Sequence, residues 1–169
     1  MGKARHGLTD SELLAYSNEH VLYEISMLVQ CGQLLTHRLV SVSPALATII
    51  RNAIVESFAI HVRNLVDFLY PGTNVKPTDV IADDFFDLGK RPPNFPAIAP
   101  SLEAARKRAH KQVSHLTTGR LAEGHPGKSW PLGLVVDTLT ILREFSAQAA
   151  PTKLNRSIPD FINTALGTG

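Results

Sequence analysis

Leu14, Val21, Leu28 and Leu35 recur every seven residues near the start of the chain, with Ile25 and Leu39 offset from them by four. Two turns of an α-helix take about 7.2 residues, so this spacing predicts one helix with a single apolar side, running to about Leu39. Its start is marked by Thr9-Asp10-Ser11-Glu12, a capping box in which the Thr9 hydroxyl accepts a backbone N–H and Glu12 reaches back. Gly32 falls inside this helix, where it either weakens it or lets a neighbour pack closely. Ser43-Pro44 is a second start signal, a hydroxyl at the N-cap followed by a proline whose missing N–H costs nothing there. The helix it opens runs to Tyr70 and is stopped by Pro71-Gly72. It is the most apolar segment of the chain, with only a narrow polar stripe, and is expected to be the central, most buried helix.

Ten of the eleven prolines lie at or after Pro71, so the irregular structure is concentrated in the later part of the chain. A short helix is predicted from Asp79 to about Leu88, followed by a Pro-rich stretch, Arg91 to Pro100, that packs across the bundle or over a cleft. Another helix is expected from Pro100, with Ser101 as its N-cap, Glu103 in its first turn and Gly119 at its end. Arg106, Lys107, Arg108, His110 and Lys111 crowd its middle. Leu132 to about Ala149 reads as a last long helix, with Val135, Leu139 and Leu142 on one face. No alternating strand pattern persists anywhere. The expected fold is all-α: an antiparallel bundle of four main helices plus one or two short ones, built from residues 1–150. Residues 151–169 read as a loose tail with a short helical turn from Pro159 to Leu166.

Composition narrows the class. With 44% apolar and 19% charged residues among 169, the chain can bury a core without metal or disulfide staples. Its net charge of +2 is too small to announce nucleic acid. The single cysteine, Cys31, excludes an internal disulfide framework, reads as a small core residue and fits a reducing compartment. Glu12, Asn18, Glu19, His20 and Glu24 interrupt the first 30 residues, so neither a signal peptide nor a membrane span is expected there, and the protein reads as cytoplasmic.

Two constellations could carry chemistry. On the second helix, Asn52, Glu56, Arg63 and Asp67 fall within roughly 60° of one another, a polar line on an apolar helix. Arg63 and Asp67 are spaced for an intrahelical ion pair, and the line could also border a cleft. His61 points to the apolar side, where a hydrogen-bonded core or interface histidine is expected. On the basic helix, Arg108 and His115 are two turns apart, about 20° from alignment, with Lys111 between them. Imidazole exchanges protons near neutral pH and guanidinium grips phosphate oxygens, a combination suited to phosphodiester chemistry. The plain alternative is a solvated basic face. His20 with Glu24, and Glu56 with His61, supply single pairs of metal-ligand types, without the Glu-x-x-His repeats of carboxylate-bridged bundles, so no metal or other cofactor is expected.

The stretch Arg108-Ala109-His110-Lys111-Gln112-Val113-Ser114-His115, on a late helix, resembles the Arg-x(4–6)-His motif of the HEPN superfamily, with His110 as the polar residue one place later than usual. The segments His61–Phe68 and Lys111–Thr117 are also similar to those of small bacterial helical proteins without an assigned activity. The HEPN resemblance implies a homodimer that places two Arg/His pairs across a shared cleft and, in active members, metal-independent RNA cleavage. His115 would then move the proton of the ribose hydroxyl or leaving oxygen, Arg108 would stabilise charge on the phosphorane, and Glu56 or Asp67 would orient one of them. Two other readings stand beside it. One is a non-catalytic helical module that dimerises or binds a protein partner; the other is nucleic-acid binding without cleavage through Arg106, Lys107, Arg108, Lys111 and Arg120.

Overall fold

The computed structural model describes residues 7–37, 42–112 and 130–168, and these contain helices and turns but no strand. The helices are α1 (Asp10–Tyr16), α2 (Leu22–Thr36), α3 (Pro44–Leu69), α4 (Pro100–Gln112), α5 (Gly133–Gln148) and α6 (Ser157–Leu166). A π turn, Ser17–Val21, joins α1 to α2 without a break, because the backbone stays right-handed helical through Tyr16 and Leu22. The fold is an all-helical bundle. α3 forms a layer with α2 on one side and α4 on the other, α5 packs behind all three, and α6 packs against α5, α2 and the π turn.

Thr9 caps α1 as expected, with the Glu12 N–H donating to its hydroxyl and its own N–H donating to the Glu12 carboxylate at 2.8 Å. The predicted seven-residue repeat holds through Val21, Leu28 and Leu35, all buried. It fails upstream. Leu13, eight residues before Val21 and only 3% exposed, enters the core, while Leu14 is half-buried. The π turn is the cause, since its wider hydrogen-bond ring adds one residue to the turn. Ser17, fully buried, fixes that turn by donating to the Leu14 carbonyl (2.8 Å) and accepting the Asn155 N–H (3.0 Å). The helix ends at Thr36, and Leu39 lies outside the described residues. Gly32 is a close-approach glycine: a Cβ there would sit 2.8 Å from Val135 Cγ2 of α5.

α3 begins where Ser43-Pro44 predicts, with the Ser43 hydroxyl accepting the Leu46 N–H. Its length and apolar content would let it cross a membrane, a test that the core helix of a globular domain also passes. The expectation that it is the central, most buried helix holds for its second half only. Val55 to Leu69 carry every fully buried side chain, whereas from Pro44 to Ile54 none is, and Ile49 is 64% exposed.

Instead of one short helix over Asp79–Leu88 there are two 3₁₀ turns, Ala82–Phe85 and Asp87–Gly89. Leu88 and Gly89 adopt positive φ (57° and 61°), which stops a right-handed helix there. These turns lower Phe85 and Phe86 edge-on onto Phe145 of α5, with ring centroids 5.8 Å apart in both pairs, and Phe68 of α3 completes the cluster at 5.3 Å. The Pro-rich stretch packs across the C-terminal end of α3. Arg91 binds the Asp83 carboxylate (2.7 and 2.9 Å) and the Leu69 carbonyl, and its guanidinium lies 4.6 Å from the Phe95 ring centroid. The Tyr70 hydroxyl donates to the Pro96 carbonyl at 3.0 Å.

Ser101 is not the N-cap of α4. The helix already starts at Pro100, the Ala99 carbonyl accepts the first helical bonds, and the Ser101 hydroxyl donates to Asp137 of α5 at 2.6 Å. α4 is described to Gln112, so its expected run to Gly119 lies outside the described residues. The C-terminal segment is better packed than a loose tail. α6 starts at Ser157 and buries Ile158 and Ile162 completely, and Lys153 donates to the Asp84 and Phe86 carbonyls at 3.2 and 3.0 Å.

Candidate functional site

The polar line of α3 divides into two parts. Glu56 is exposed on the outer side of the helix, about two turns from Arg63. Arg63 and Asp67 form the intrahelical pair, Nε to Oδ2 at 3.3 Å, and Asp67 also lies 3.9 Å from Arg106 of α4. Arg106 donates to the Tyr70 carbonyl at 2.8 Å and to Glu103, so it is a clamp between α3 and α4. Lys107 reaches the same Glu103 at 3.1 Å. That hydrogen bond, with the positive charges of Arg106 and Lys107, holds the Glu103 carboxyl below the usual range against some desolvation. Part of the basic run is thus neutralised within its own helix.

His61 is 7% exposed, and its Nδ1–H donates to the Glu24 carboxylate of α2 at 2.7 Å. Asn64 donates to the same carboxylate at 3.2 and 3.3 Å. This is the hydrogen-bonded histidine expected on the apolar side, and it ties α3 to α2. Its acceptor was legible only as a possible partner of His20, which instead lies against the Tyr16 ring, 4.6 Å between centroids. Among the described residues, no three His, Cys, Asp or Glu side chains converge. Cys31 is buried, with its thiol 3.5 Å from the Ser57 hydroxyl.

A cleft of about 700 Å³ opens between the π turn, α2, α3 and the loop after α3, lined by Tyr16, His20, Glu24, Arg63, Asp67 and Asp79 among others. Burial, and then the Glu24 and Asp79 carboxylates, raise the Tyr16 phenol above its ordinary pKa. Each of these carboxylates already has a partner: Glu24 holds His61 and Asn64, Asp67 holds Arg63, and Asp79 accepts the Lys76 N–H at 2.8 Å.

Arg108 lies elsewhere. It is half-buried, with its guanidinium 4.5 Å from the ring centroid of Trp130, a residue 7% exposed just before α5. Lys111 is exposed one turn on, and His115 lies outside the described residues. On α4, Asp67 meets Arg106. Trp130 carried no signal in sequence beyond its place before Pro131.

The remaining feature is apolar. On α3, Leu46, Ile50, Ala53, Ser57, Ile60 and Asn64 follow one another at spacings of 4, 3, 4, 3 and 4, and on α2, Tyr23, Met27, Gln30 and Leu34 at 4, 3 and 4. All ten are exposed or half-buried. The helices run antiparallel, as the contacts Glu24–Asn64, Cys31–Ser57 and Leu35–Arg51 require, so both stripes lie on the outer side of the layer, away from α5. Tyr23, Leu34, Leu46, Ile49 and Ile60 there are between 42% and 64% exposed. Compared with known protein families, curated proteins and solved structures, the chain matches none.

Proposed function

We propose that the protein is a non-catalytic helical interaction module whose working surface is the outer face of α2 and α3. The observation that carries this reading is the double stripe just described. A 3.5-residue spacing of mainly apolar, uncharged positions is the pattern by which one helix seats against another, and here no helix of the described chain occupies it. Exposed apolar patches of several hundred Å² mark interaction sites on globular proteins. A photo-cross-linking amino acid placed at Tyr23 or Ile60 in growing cells is expected to give protein adducts, and the same group at exposed Thr164 of α6 to give none. Equal yields at all three positions would overturn the reading.

A second reading is favoured by one observation, the placement of the half-buried Arg108 guanidinium over the Trp130 ring, 4.5 Å from its centroid. In this HEPN-like ribonuclease, a homodimer acts on RNA, Arg108 stabilises the phosphorane, and His115 moves the proton, with Lys111 beside them. Incubating structured RNA in EDTA with the wild type and with Arg108→Ala and His115→Ala variants tests it. Cleavage by the wild type alone supports it, and intact RNA in all three removes it for that substrate.

A further inference from the structure

We propose that the occupant of the α2–α3 face is a second copy of this chain, related by a two-fold axis crossing α3 midway between Ala53 and Ser57, so that the two hairpins close into a four-helix layer. This rests on reading that face as the working surface. The order of side-chain sizes along α3 is close to a palindrome: Leu46 and Ile50, then the small Ala53 and Ser57, then Ile60 and Asn64. An antiparallel copy in this register sets Ile50 against Ile60, Leu46 against Asn64 and Ala53 against Ser57. Small residues at the crossing let two helices approach to about 8 Å, while the larger ones fill the space on either side. A closed two-fold contact requires this self-complementarity, because each patch must fit its own image.

Charge and area agree with that occupant. None of the ten stripe positions carries a formal charge, so pairing the face with itself brings no like charges into its centre. Glu56, exposed on the flank of α3 and one residue from the axis, stands beside its own copy and is the one like-charge contact of the arrangement, so the dimer should tighten as salt is added. The five large apolar side chains leave on the order of 500 Å² in water, at the upper end of the patches found on monomers. Two such faces together hold on the order of 1,000 Å² of apolar surface, the least that a specific interface needs.

The experiment uses the full chain. Light scattering across the micromolar range is expected to give a dimer mass. Leu46→Glu/Ile60→Glu, which changes only half-exposed side chains, is expected to give a monomer with an unchanged circular dichroism spectrum and a dissociation constant at least about 100-fold higher. In a Cys31→Ala background, Ala53→Cys is expected to be joined to its copy by a short bismaleimide, and Thr164→Cys is not. A monomer at every concentration, with cross-links still forming at Tyr23 and Ile60 in cells, overturns the second copy and leaves the interaction module standing. A dimer that survives Leu46→Glu/Ile60→Glu and does not cross-link through position 53 pairs through another surface and overturns the second copy on this face.

Discussion

Pro44–Ile54 and Val55–Leu69 are stretches of one uninterrupted helix with similar apolar content, yet the first has no buried residue and the second has eight. Their neighbours differ. The second half is flanked by α2 through His61 and Glu24, by α4 through Asp67 and Arg106, and at its end by the Arg91 strap. The first half meets the end of α2, where Arg51 donates weakly to the Leu35 carbonyl. Hydrophobicity thus states that a side chain wants cover, and the topology decides which ones receive it within the chain.

The largest expected effect tests that contrast directly. Phe58→Ala in the buried half should cost about 3–5 kcal/mol in urea unfolding, as removal of a fully buried aromatic ring does. Ile49→Ala in the exposed half should stay within about 0.5 kcal/mol below the association threshold, and equal losses would break the comparison. Gly32→Ala comes next, at about 1–3 kcal/mol, because the new methyl meets Val135 where α2 closes on α5. Adding Val135→Ala should restore most of that loss, since the two side chains share one space. Ser17→Ala should cost about 1–2 kcal/mol by leaving the Asn155 N–H without its acceptor.

The smallest change lies far from α3 and serves as its reference. Thr9→Ala should cost about 1 kcal/mol at neutral pH. The Thr9 N–H and hydroxyl lower the Glu12 pKa, so the folded protein binds fewer protons at Glu12 than the unfolded chain does. The resulting stability is present above the ordinary Glu pKa and is lost as pH falls through the lowered one. Thr9→Ala should flatten that acid limb, which a series of thermal melts between neutral and acid pH would show.

Much of the bundle was legible because caps and periods are local. Thr9-x-x-Glu12, Ser43-Pro44 and the inner stripe Val21, Leu28, Leu35 act within a turn or two of themselves. Ser101 misled because a serine beside a proline suits the N-cap in sequence, while its hydroxyl here answers to Asp137, 36 residues away. The C-terminal helix was undervalued for a similar reason: only two isoleucines, Ile158 and Ile162, anchor it, and their worth depends on the pocket they enter. Of the candidate residues, Arg63 and Asp67 were legible as a pair from their spacing. The His61–Glu24 bond was not, since it joins positions 37 apart. The outer stripes escaped notice because Ser57 and Asn64 read as polar interruptions until the hairpin aligned them with Tyr23 and Leu34.

The π turn bears on how this chain can change length. Deleting one residue from Ser17–Val21 would restore an ordinary α-helical turn and leave α1 and α2 both in register, because the wider turn holds the one extra residue. Leu13 would then stand seven residues before Val21, the spacing of one helix face, and stay at the core. The N-terminal turn can thus lose one residue and still present Leu13 to the interior, a tolerance to deletion held in the wide turn itself.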